Sequence, residues 1–129
     1  MKTNYERVRE FHEHFCPDQL DLLDWDDDLF SFRQKLIDEE VNEFAEAWED
    51  EAYRGWEEAI VKELVDILYV TYGTLASMGV DADEAFKRVH DSNMSKLGED
   101  GFPIRRYDGK VLKGPNYKEP NLTDLVEIQ

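Results

Sequence analysis

The chain has 129 residues and a mass of 15.2 kDa, with 15 Lys and Arg against 31 Asp and Glu, a net charge of −16. That length suits a single domain over residues 1–129, with a helical core over about 3–98 and a tail over about 99–129. The charge argues against a general binder of nucleic acid or of anionic membrane, because either needs a basic face. No apolar run reaches the roughly 18 residues of a membrane span. The N-terminus is charged throughout, with no signal-peptide pattern, and the lone Cys16 cannot form an internal disulfide. Both features point to the cytoplasm.

The elements in chain order are mostly helices. Thr3 or Asn4 caps a first helix running to about Phe15, and Pro17 stops it. Residues 17–28 read as a loop or short turn. A second helix is expected from about Leu29 to Glu51, and a third from about Gly55 to Met78, closed by Gly79. Asp81 caps a fourth helix from Ala82 to about Leu97, ended by Gly98. Beyond Gly101 the pattern breaks, and Asp108-Gly109 suggests a hairpin-like turn. The expected fold is all-α, a four-to-five-helix bundle with an irregular or hairpin-like C-terminal tail.

Charge is unevenly spread along these elements. Residues 1–86 hold 7 basic and 24 acidic side chains, whereas residues 87–118 hold 8 basic and 4 acidic. An acidic body followed by a basic segment fits a site with metal ligands in one part and anion ligands in the other. Composition and helix-end preferences alone would also produce some of it.

The second and third helices carry the informative residues. At 100° per residue, Leu29, Phe32, Leu36, Ile37, Val41, Phe44, Ala45 and Trp48 share one wide arc. Glu40 falls inside that arc and Glu43 lies at its edge, while Glu39 lies toward the polar side. On the third helix, Asp66 is the one charged residue from Leu64 to Met78, which reads as a helix buried on most sides. Glu63 and Asp66 are neighbours at i, i+3. If the two helices pack antiparallel, Glu40, Glu43, Glu63 and Asp66 can converge. Four carboxylates together call for divalent cations, and an all-oxygen donor set suits magnesium or manganese. A solvated acidic face with Lys35 and Lys62 as i, i+4 partners is the plainer account of the same spacing.

Glu39-Glu40-Val41-Asn42-Glu43, then nineteen residues, then Glu63-Leu64-Val65-Asp66 resembles the EExxE…ExxD signature of the all-α nucleotide pyrophosphohydrolases, which include MazG-like enzymes, dimeric dUTPases and phosphoribosyl-ATP pyrophosphohydrolase. His90-Asp-Ser-Asn93-Met-Ser-Lys96 is similar to the segment whose Asn and Lys contact substrate phosphates. The stretch from Asp108 to Tyr117 is similar to a tail of one MazG-like subgroup. The resemblance covers about residues 5–122. It implies hydrolysis of (d)NTP between the α and β phosphates to (d)NMP and pyrophosphate. Glu40, Glu43, Glu63 and Asp66 would hold Mg²⁺ (or Mn²⁺), and Glu39 would either support those ligands from behind or help deprotonate the attacking water. Asn93, Lys96, Lys110, Lys113 and Tyr117 would bind substrate. It also implies a homodimer or homotetramer.

Other residues read more plainly. Lys110 and Lys113, set between Gly109 and Gly114, do not form a P-loop pattern. His12 and His14 read as surface residues, and Cys16 as structural. Phe11, Phe15, Trp25 and Phe30 are candidates for a base-stacking wall, with core packing the plainer reading for each, and Trp25, in a loop, is the strongest stacking candidate. Two alternatives stay open. One is phosphoribosyl-ATP pyrophosphohydrolase, whose branch the GPNY tail does not resemble. The other is a non-enzymatic acidic helical module that binds a basic partner or mimics nucleic acid.

Overall fold

The computed structural model describes residues 1–22, 26–50 and 55–126. It is helical, with α1 (Asn4–Phe15), α2 (Asp27–Glu49), α3 (Trp56–Met78), α4 (Ala82–Met94) and a short α5 (Thr123–Val126). The one sheet among the described residues is a hairpin of β1 (Ile104–Arg105) and β2 (Val111–Leu112). The all-α expectation holds, and no helix among the described residues is long and apolar enough to cross a membrane. The chain divides into two compact units, Met1–Val80 and Asp81–Gln129.

In the first unit, α3 is the central helix and both neighbours run antiparallel to it. Tyr5 near the start of α1 donates its hydroxyl to Val80 O beyond the end of α3, at 2.6 Å. Phe11, further along α1, meets Tyr69 edge-on with ring centroids 5.6 Å apart. On α2, Arg33 reaches the C-terminal half of α3, while Trp48 meets Trp56 at its start. The loop after α1 closes the far end of α3. Asp21 N–H and Leu22 N–H donate to Ala76 O and Ser77 O, satisfying carbonyls that the helix end leaves free. Asp21 adopts φ 53°, a left-handed conformation that aspartate tolerates better than most residues. Arg9 holds it there through two bonds of 2.7 and 2.8 Å, which keep the Asp21 carboxyl below its usual range.

The buried core departs from the apolar arc. The buried residue of α2 is Arg33, not one of its large hydrophobics. Its guanidinium donates to Val70 O (2.9 Å) and Thr74 Oγ1 (3.2 Å) on α3. His12 is buried beside it rather than lying on the surface. Its Nδ1 lies 3.0 Å from Val8 O, one turn back on α1. Burial and the nearby Arg33 and Arg9 charges push the imidazole below its ordinary pKa. Gly73 makes room for both: a Cβ there would stand 2.8 Å from His12 Cε1 and closer still to Arg33 Nη2.

Several apolar residues lie outside this core. Phe11, Phe15 and Phe30 are exposed, and so are Phe32, Val41 and Trp48 of the expected α2 arc. Nor is α3 buried on most sides: Val61, Leu64, Val65 and Leu68 are 44–60% exposed. Its inward face carries Ile60, Ile67, Val70, Leu75 and Ala76, with Glu63, Asp66, Gly73 and Ser77 set among them.

In the second unit, Asp81 caps α4 through Glu84 N–H (3.1 Å), as expected. The helix ends at Met94, three residues early, where the Lys96 and Leu97 N–H groups turn to Asn93 O and Met94 O, and Lys96 O accepts from Gly114 N–H at 2.9 Å. A Cβ on Gly114 would stand 2.7 Å from that same oxygen, so only glycine fits. The Asp108-Gly109 turn closes the hairpin, with Gly109 at φ 91°. The tail then returns along α4: Lys118 bonds Ser92 and Ser95, and Asp124 bonds Arg88. The tail is therefore anchored, and α5 at its end was not foreseen.

Gly73→Ala tests the packing at the three-helix junction. Alanine favours a helix over glycine by up to about 1 kcal/mol, but overpacking costs ~1–3 kcal/mol. The net expectation is a less stable chain, read as a lower urea midpoint. An unchanged or higher midpoint would contradict the close approach of Arg33 and His12.

Candidate metal centre

The antiparallel register of α2 and α3 decides which acids meet. Arg33 opposite Val70 and Thr74 sets the alignment, and two and three turns later on α2 come Glu40 and Glu43. About two turns earlier on α3 are Asp66 and Glu63. Each of the four offers an oxygen, and these oxygens all lie within 4.8 Å of one another. The convergence expected from spacing is thus present.

Such a cluster is electrostatically unfavourable on its own. Two unit charges about 5 Å apart repel by roughly 3 kcal/mol at an effective dielectric of 20. The structure shows the response. Burial, then the charges of Glu43, Asp66 and Glu63, raise the Glu40 carboxyl above its usual range. Lys62 sits 2.7 Å from Asp66 and 3.7 Å from Glu63. Even so, Glu40 Oε2 and Glu63 Oε2 are buried without a hydrogen-bond partner. Buried polar atoms are normally satisfied, so two orphaned oxygens in one cluster mark missing partners. An all-oxygen, partly buried carboxylate set suits a hard divalent cation. The residues therefore fit a metal ion.

The other expected site residues lie elsewhere. Glu39 is exposed on α2, outside the group of four. Asn93 and Lys96 stand at the C-terminal end of α4, exposed and half-buried respectively. Lys110 is exposed at the foot of the hairpin turn. Lys113 lies with its Nζ 4.8 Å from the centroid of the Tyr117 ring, a cation–π contact. Trp25 falls outside the described residues. Two site-supporting residues were missed by sequence reasoning, Arg33 and Gly73. A signal existed for each. Arg33 lies in the same apolar stripe as Glu40, seven residues earlier, and Gly73 interrupts a helix interior where glycine is unfavourable.

Residues 8–93, about two thirds of the chain, match the protein family described as phosphoribosyl-ATP pyrophosphohydrolase. The matched span contains all four carboxylates together with Arg33, Gly73 and Asn93. A comparison with curated proteins gave no match.

Glu40→Gln separates charge from packing. Without metal, it should raise the melting temperature by roughly 1–4 °C, because a like charge leaves the cluster. The stabilisation given by millimolar Mg²⁺ or Mn²⁺ should be reduced or lost. A variant less stable without metal, yet equally stabilised by it, would contradict this reading of Glu40.

Proposed function

The chain belongs to the phosphoribosyl-ATP pyrophosphohydrolase family, within the all-α NTP pyrophosphohydrolase superfamily, and we propose that it cleaves (d)NTP between the α and β phosphates. The family hydrolyses a phosphoric anhydride of a nucleotide. What supports the metal-dependent part of this reading is the four-carboxylate cluster with its two unpartnered buried oxygens. One water is consumed, the bond from the α phosphorus to the bridging oxygen breaks, and the products are (d)NMP and pyrophosphate.

Glu40, Glu43, Glu63 and Asp66 would hold Mg²⁺, with Mn²⁺ as a substitute. When bound, that ion supplies Lewis-acid chemistry, offsetting polyphosphate charge and acidifying water. The remaining work falls to the chain's own residues. Glu39 accepts a proton from the attacking water at its carboxylate and passes it to solvent. The Asn93 amide and the Lys96 ammonium donate to phosphate oxygens, and Lys110 and Lys113 add positive charge beside Tyr117. Trp25 offers a surface on which a base can stack.

A second reading is phosphoribosyl-ATP as the substrate, and the family match favours it directly. The bond cleaved is of the same kind, so the carboxylates would serve either substrate. The tail beyond residue 93 lies outside the match, and its GPNY stretch supports the (d)NTP reading.

We also propose a homodimer or homotetramer. The support is the outward stripe of Val61, Leu64, Val65 and Leu68, which the chain's own helices leave uncovered. A second copy related by a twofold axis would bury this stripe against itself.

Incubation with a panel of NTPs, dNTPs and phosphoribosyl-ATP, with Mg²⁺ or with EDTA, tests the reaction. Metal-dependent release of (d)NMP and pyrophosphate is expected. Asp66→Asn should lower kcat by roughly 10² or more with an unchanged circular dichroism spectrum. Release from phosphoribosyl-ATP alone would select the second reading, and turnover in EDTA would contradict the metal-dependent one. For assembly, light scattering should give at least twice the chain mass. Leu64→Asp with Leu68→Asp should give the monomer, and a monomeric wild type would contradict the dimer.

A further inference from the structure

Lys62 sits at the rim of the carboxylate cluster in a way that an ordinary helix ion pair does not. Its Nζ is 2.7 Å from Asp66 and 3.7 Å from Glu63. Lys87–Asp91 on α4 has the same i, i+4 spacing and a similar distance, 2.8 Å. In that pair both side chains are well exposed, at 66% and 60%. The Lys62 side chain is as free, at 65%, but its partners are recessed: Asp66 is 30% exposed and Glu63 only 16%. Helix stability does not account for Lys62. A lysine four residues before an acid is the weaker order of the pair. A cation in the N-terminal half of a helix also gains nothing from the helix dipole.

Charge accounts for it better. Among the described residues, Lys62 supplies the ion pairs to the cluster, against four acids. It takes the outer oxygens, Asp66 Oδ2 and Glu63 Oε1. The inner oxygens, Glu40 Oε2 and Glu63 Oε2, stay without a partner. A divalent ion drawn to those inner oxygens would meet an ammonium already on Asp66. Two cations cannot share that carboxylate without strong repulsion, and the lysine stem is long and flexible enough to withdraw.

We infer that Lys62 is a tethered counter-ion that competes with the divalent cation for Asp66, weakening metal affinity and leaving the rim when metal binds. This rests on the metal-centre reading proposed above. In the metal-free chain Lys62 moderates the repulsion between α2 and α3. In the loaded chain its ammonium stays within a side chain's reach of the cluster.

Calorimetric titration of the full chain with Mn²⁺ at low salt tests this, using wild type, Lys62→Gln, Lys62→Arg and Lys87→Gln. Lys62→Gln should bind Mn²⁺ about two- to fivefold more tightly than wild type, the scale of one exposed ion pair. The gap should narrow at high salt. Lys62→Arg keeps the charge and should bind like wild type, as should Lys87→Gln. Equal or weaker binding by Lys62→Gln would overturn the inference while leaving the metal centre standing. An equal gain from Lys87→Gln would also overturn it, since the effect would then be one of net charge. No Mn²⁺ binding by any variant would overturn the metal-centre reading, and this inference with it.

Discussion

Four carboxylates held within 4.8 Å of one another are the constraint on which the rest of the first unit depends. Left alone, they would push α2 and α3 apart. What opposes them is a peg two turns away: the buried Arg33 guanidinium, bonded to Val70 O and Thr74 Oγ1. The same contacts that resist separation also fix the axial register. Gly73 permits the peg, because any side chain there would meet Arg33 and His12. The energetic problem and its structural answer therefore lie on one stripe of each helix. The orphaned oxygens of Glu40 and Glu63 are where the proposed cation would complete that answer.

α3 has two apolar faces. Ile60, Ile67, Val70, Leu75 and Ala76 lie with the carboxylates on the inner side, while Val61, Leu64, Val65 and Leu68 are exposed. In the proposed assembly, site and subunit contact would be two faces of one element. A change in the packing of a second copy on α3 would bear on the positions of Glu63 and Asp66 through the helix itself.

Much of this was legible in the sequence, for physical reasons. The helices showed themselves through Thr3, Asp81 and Gly79 as caps and through apolar periodicity. The carboxylate cluster showed itself because Glu40 interrupts an apolar stripe and Asp66 stands alone in an apolar run. Burial was less legible. Periodicity identifies an apolar face but not what covers it, so Phe32, Val41 and Leu68 read as core although the chain leaves them exposed. His12 and Arg33 were passed over because their burial depends on a glycine 61 and 40 residues away in sequence. The return of the tail along α4 rests on single hydrogen bonds such as Ser92 to Lys118 O, which leave no periodic trace.

The account turns on a divalent ion lying among Glu40, Glu43, Glu63 and Asp66. The most direct measurement is anomalous diffraction from crystals of the chain soaked in Mn²⁺. A peak within about 2–2.6 Å of oxygens from those four residues is the expected result. Well-ordered carboxylates with no peak among them at millimolar Mn²⁺ would contradict it.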